Sequence, residues 1–141
     1  MTADTAHDND SGELVFEEGI IGVPRARRFV LMERPGSPVR ILRSLDIEGF
    51  ALPVVDPVLV DPEYRPRLGE RILDAVRLDR DCPVLLLAIA ALEPEGAMVN
   101  LRAPLVINVR DRIATQVILD DRTYSLRAPL RVDTESMRSA G

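Results

Sequence analysis

Lysine and tryptophan are absent from this chain of 141 residues, and histidine and cysteine occur once each. Without lysine there is no Schiff-base former and no phosphate-loop lysine. His7 stands among small and acidic residues with no framework to orient it, which argues against a general base. Cys82 has no second cysteine to pair with, in keeping with a reducing compartment. The adjacent Asp81 disfavours a thiolate, so a structural thiol is expected there and not a nucleophile.

Aromatic residues are scarce, with three Phe and two Tyr, so aliphatic side chains must carry most of the packing. Long apolar runs are missing too. The longest, Pro83–Leu92, is about ten residues, whereas a membrane-spanning helix needs about 20. Met1–Gly19 contains no basic residue and no apolar stretch of signal-peptide type. The expectation is a cytoplasmic protein with no membrane partner.

Catalytic signatures are likewise missing. There is no glycine-rich phosphate loop, no Gly-x-Ser-x-Gly and no metal-ligand set in the sequence. Asp56, Asp61 and Glu63 lie close together beside Tyr64, but Pro57 and Pro62 stiffen their spacing and no calcium-loop pattern is present. They read as a loop surface. No cofactor, no metal and no enzymatic activity are expected.

Charge is unevenly placed. Asp4, Asp8, Asp10, Glu13, Glu17 and Glu18 give Met1–Gly19 six acids, and the remainder carries 18 Arg against 17 acids. An acidic segment repels phosphate backbones and either solubilises the chain or steers a basic protein. Arg25, Arg27 and Arg28 with Phe29 form one basic group, and Arg65, Arg67 and Arg71 another. Both are small and nearly without the interleaved aromatics that grip single strands, so direct nucleic-acid binding is not expected.

What the sequence does contain is β-strand pattern cut by turns. Residues 1–12 are small, polar and acidic and read as a disordered tail. A single β domain is expected over 13–132, with a flexible tail at 133–141. Strands are expected at Leu14–Phe16, Phe29–Met32, Val39–Leu45, Phe50–Val55, Val84–Ala91, Met98–Leu101, Leu105–Val109, Ala114–Leu119 and Ser125–Leu130. Pro53 suggests an edge or a bulge. Val84–Ala91 is apolar on both parities, which marks burial on both faces. One helix is expected over Gly69–Arg77, with Ile72, Leu73 and Val76 on one face, capping an open end or edge of a sheet. Leu-Arg-Ala-Pro-Leu occurs twice, at Leu101–Leu105 and Leu126–Leu130, and suggests paired strands entered through the same proline-limited step. Asn100 and Asn108 are placed to satisfy backbone groups near strand ends. The fold class is mainly β: one small domain of antiparallel strands curled into a barrel-like sheet with one short helix, a sandwich being the alternative.

Asn100-Leu101-Arg102-Ala103-Pro104-Leu105-Val106-Ile107-Asn108, followed by Gln116-Val117-Ile118-Leu119, resembles the carboxy-terminal half of the flagellar assembly factor FliW family. Gly19-Ile20-Ile21-Gly22-Val23 is similar to that family's first apolar glycine loop. Leu42-Arg43-Ser44-Leu45, Phe50, Val54, Pro57 and Asp61-Pro62-Glu63-Tyr64 follow its middle pattern. The resemblance spans roughly Leu14–Leu130. It implies a β-rich, barrel-like fold and a binding role. The family binds flagellin near its terminal helices, as a chaperone-like partner. It also binds the RNA-binding translational regulator CsrA, away from the RNA surface, and so relieves repression of flagellin translation. Ile21 and Val23 stand where the family usually has Pro and Phe, Arg43 where it has Gln, and Pro38-Val39 where it has an aromatic pair. These changes remove rigid aromatic area. The expected protein-binding residues are Asp56, Asp61, Glu63, Tyr64, Asn100 and Arg102, with Tyr64 as anchor and the acids steering. The competing classes are a flavin- or small-ligand-binding split barrel, a flagellin-only chaperone and a direct nucleic-acid binder.

Overall fold

The computed structural model describes residues 13–79 and 83–130. His7, Cys82 and the two expected tails lie outside the described residues. Nine strands are formed among those described: β1 (Glu13–Phe16), β2 (Arg28–Met32), β3 (Arg40–Ser44), β4 (Ala51–Val55), β5 (Val84–Glu93), β6 (Gly96–Val99), β7 (Leu105–Asn108), β8 (Ile113–Gln116) and β9 (Ala128–Pro129). A 3-10 turn occupies Pro57–Leu59, and the single α-helix described, α1, is Glu70–Ala75.

The strand order is β4-β3-β2-β1-β8-β7-β5-β6-β9, and β4 also pairs with β5. The sheet therefore curls until its pairings run in a circuit, with β6 and β9 as a side extension. One contact departs from the expected all-antiparallel arrangement. β1 and β8 pair in parallel, Val15 opposite Ile113 and Phe16 opposite Ala114. They come from opposite ends of the domain, so no hairpin dictates their direction.

Burial follows the period of two expected of strands. Leu14, Phe16, Phe29, Leu42, Val54, Leu87, Leu105, Ile107 and Ala114 share one buried cluster on the inner face. Phe16 and Phe29 meet edge-to-face at 5.3 Å between ring centres, and Phe29 also meets Phe50. The double-parity burial of β5 is explained by its neighbours. Leu87 joins the inner cluster, while Ala88 and Ala90 on the other face join a second one under β6 and β9. Pro53 lies opposite Ile41 of β3, and the β5 pairing starts only at Val54. Its missing N–H thus falls on an edge.

The helix does not cap an open end or an edge. Val76 and Ile72 pack with Val106 of β7 and Ile113 of β8 on the outer face of the sheet. Asn108 fixes it there. Its buried Nδ2 donates to the carbonyls of Val76, at 2.8 Å, and Arg77, at 3.2 Å, while its Oδ1 accepts from the Asp111 N–H.

The two Leu-Arg-Ala-Pro-Leu copies do not play one role. In the first, Oδ1 of Asn100 accepts from the N–H groups of Arg102 and Ala103 and folds the copy into a bend before β7. The second forms β9, pairing Ala128 with Val99 and Pro129 with Met98 of β6. The second copy follows Ser125, whose Oγ accepts from Arg127 N–H, so its first two residues also bend and its strand begins at Ala128. β9 pairs with β6 and not with β8, so the segment joining β8 to β9 is not a hairpin turn.

Candidate functional site

The sequence-expected binding residues come from two places, the loop after β4 and the bend before β7. The first is built by its own acids. Asp56 caps the 3-10 turn by accepting from Val58 N–H at 3.1 Å, with Pro57 in the first turn. Asp61 accepts from Glu63 N–H at 3.0 Å. These short bonds hold the loop in shape and leave further acceptor capacity on each carboxylate. Glu63 is exposed.

Tyr64 is only 5% exposed, so the expectation of a surface anchor is corrected. The ring packs edge-on to Tyr124 at 4.8 Å between centres, in the cluster that includes Val55, Ala88, Val99 and Leu101. Its hydroxyl donates to the carbonyl of Leu101 at 2.7 Å. Burial holds the phenol well above its ordinary pKa, with smaller contributions from Tyr124 and Asp61. A buried phenol needs such an acceptor, and the one it finds is the residue between Asn100 and Arg102. Tyr64 therefore joins the acidic loop to the bend.

Arg102 is also occupied. Its Nε donates to the carbonyl of Tyr124 at 2.9 Å and its Nη2 to that of Arg122 at 3.3 Å. Asn100 spends its side-chain oxygen on the bend already described. Of the six expected residues, Asp56, Asp61 and Glu63 carry carboxylates with no ion-pair partner among the described residues, while Asn100, Tyr64 and Arg102 position the backbone around them.

A groove of about 650 Å³, not anticipated from the sequence, lies next to this junction. Arg65, Pro66, Arg67 and Ile72 line one side, and Val117–Asp121 with Tyr124 the other. Asp121 is held below the ordinary carboxylate range, first by the Thr123 hydroxyl and backbone N–H it accepts from, and less by Arg102. The adjoining Asp120 has no ion-pair partner among the described residues. The signal in the sequence was the pair of charged clusters on either side of Pro66 and Asp120, which only the fold brings together.

Among the described residues there is no grouping of three or more His, Cys, Asp or Glu able to hold a metal ion, and no helix long and apolar enough to cross a membrane. The curled sheet, with its acidic loop tied to a capped bend, defines the chain as a small, mainly β domain with one short helix. The model of the FliW protein family matches residues 2–130, and the chain belongs to that family. The family consists of assembly factors in flagellar biogenesis and not of enzymes. The flagellar assembly factor FliW of Thermotoga neapolitana is 34% identical over 92% of this chain and 90% of its own length. That of Thermotoga maritima is 30% identical over 93% of this chain and 91% of its own. A crystal structure of the flagellar assembly factor FliW superposes with a TM-score of 0.79 at 28% identity, covering 86% of this chain and 87% of that one.

Proposed function

We propose that the chain binds flagellin and the regulator CsrA, and that binding relieves CsrA repression of flagellin translation. Family membership in flagellar assembly supports the general role. The observation that carries the surface is the Tyr64–Leu101 bond, which sets the loop bearing Asp56, Asp61 and Glu63 against the Asn100–Arg102 bend. Three acids on a stiff loop suit a basic partner, since rim charges steer encounter and fix orientation. Tyr64, Asn100 and Arg102 act by holding that loop and bend in place. Flagellin supplies the competing load: when it is exported, the factor is free for the regulator. A cytoplasmic location follows from that role.

Titration calorimetry against CsrA and flagellin from the same organism tests this reading. Binding to both is expected, with the paired change Asp61→Ala and Glu63→Ala weakening the CsrA complex by about tenfold or more. Unchanged affinity would remove the acidic loop from the interface. Binding to flagellin alone would make the protein a chaperone without a regulatory arm.

A further inference from the structure

The β7–β8 ladder continues past the end of β8. Leu105 pairs with Gln116, and in the same register Val117 N–H donates to the Pro104 carbonyl at 3.0 Å and Leu119 N–H to that of Arg102 at 2.7 Å. In an antiparallel ladder, alternate residues turn their backbone groups to opposite sides. Those of Ile118 therefore face away from the bend, toward the flank that β1 occupies earlier along β8. The β1 pairing ends at Phe16 opposite Ala114, where the chain turns off at Glu17. Among the described residues, neither the N–H nor the C=O of Ile118 has a hydrogen-bond partner.

The side chains around this free edge are apolar. Ile118 is 64% exposed and Ile21 51%. Ile21 is held beside the edge because its N–H donates to Oε1 of Gln116 at 2.9 Å, and the same amide donates to the Ala103 carbonyl. Glu17 and Glu18, in the turn leaving β1, and Asp120, just beyond Leu119, are exposed and have no ion-pair partner among the described residues. Cations stand nearby as well: Arg25 and Arg27 in the connection from β1 to β2, and Arg65 and Arg67 across the groove that Ile118 and Asp120 line.

We infer that the Ile118 edge is a docking site for an extended peptide segment of a partner protein, added as a short strand, with aliphatic side chains toward Ile118 and Ile21 and basic ones toward Glu17, Glu18 and Asp120. Main-chain bonds supply attachment, and alternate side chains supply selectivity. An unpaired edge with no proline or inward charge is a template for pairing. At the Ile21 end, Glu17 and Glu18 have no ion-pair partner among the described residues and favour a basic occupant over an acidic one there. The inference does not depend on which protein supplies the segment.

The test uses the full chain and a synthetic heptapeptide alternating lysine and valine. Its controls are the glutamate–valine counterpart and a lysine–valine peptide N-methylated on alternate residues. The readout is the Ile118 amide by NMR, in chemical shift and hydrogen exchange. Saturable binding with about tenfold slower exchange at Ile118 is expected for the lysine peptide alone. Ile118→Asp, which keeps the backbone, should weaken it, and so should Glu17→Gln with Glu18→Gln and Asp120→Asn. No change at Ile118 up to millimolar peptide would overturn the proposal. Equal binding of the N-methylated peptide would do so too, since it cannot complete the ladder. If the Ile118 signal moved with protein concentration and no peptide, the occupant would be a second copy of the chain and the proposal would fall.

Discussion

The hydroxyl of Tyr64 donates to the carbonyl of Leu101 at 2.7 Å, across 37 residues of sequence. Through that bond the loop after β4 and the bend before β7 become one surface. Tyr64→Phe keeps the ring against Tyr124 but leaves a buried carbonyl without a donor. The expected loss is about 1–3 kcal/mol, read from urea unfolding with an unchanged slope. A loss below about 0.5 kcal/mol would mean that water or another donor replaces the phenol.

Asn108 makes the analogous connection for the helix. It is fully buried, donates to the Val76 and Arg77 carbonyls, and accepts from Asp111 N–H. Asn108→Ala strands groups on both sides, so a loss of roughly 2–3 kcal/mol is expected. Hydrogen exchange should show the α1 amides opening before those of β7, because the side chain removed is the one bonding the helix end to the strand. Uniform loss across the sheet would mean that Asn108 supports the core generally.

Strands were legible where alternation or double-sided apolarity was strong. The pattern Leu14, Phe16 reads directly as the inner face of β1, and the apolar run Val84–Ala91 is buried on both faces in its middle, at Leu87 and Ala88, while Val84 and Ala91 at its ends are exposed. Long-range choices were not legible. Nothing local tells Val15 to lie parallel to Ile113, or starts a strand at Ala128 in one pentapeptide and only at the last residue, Leu105, in its twin. Tyr64 shows why the candidate site was read only in part. Among acids and prolines, an aromatic reads as an exposed anchor, and only its contact with the distant Leu101 and Tyr124 makes it core.

Gly19 adopts φ +74°, and a Cβ there would strike the backbone of Pro24. Both the conformation and the space exclude a side chain. Gly19→Ala should therefore cost roughly 2 kcal/mol or more and displace Ile20 and Val23, which pack on the inner cluster. Gly22 also has positive φ, +88°, but open space around its Cβ position, so Gly22→Ala should cost only about 1 kcal/mol. Thermal unfolding of the two variants checks the order, and equal effects would show that the Pro24 approach relaxes freely.

Asp46 supplies the pH dependence. Its carboxylate accepts from the Arg28 and Arg27 N–H groups at 2.7 and 2.9 Å and from Arg28 Nε at 3.1 Å. Those bonds, the Arg28 N–H first, hold it below the ordinary carboxylate range. A carboxyl whose folded pKa is depressed binds fewer protons folded than unfolded. Its contribution is therefore complete above the unfolded value of about 4 and is lost as pH falls through the folded one. Asp46→Asn keeps an acceptor oxygen but removes the charge. The wild-type chain should be the more stable at neutral pH, and the difference should shrink as pH is lowered below about 4. Urea midpoints of both proteins across that range decide it: a gap that stays constant would mean that the Asp46 contribution is geometric and not ionic.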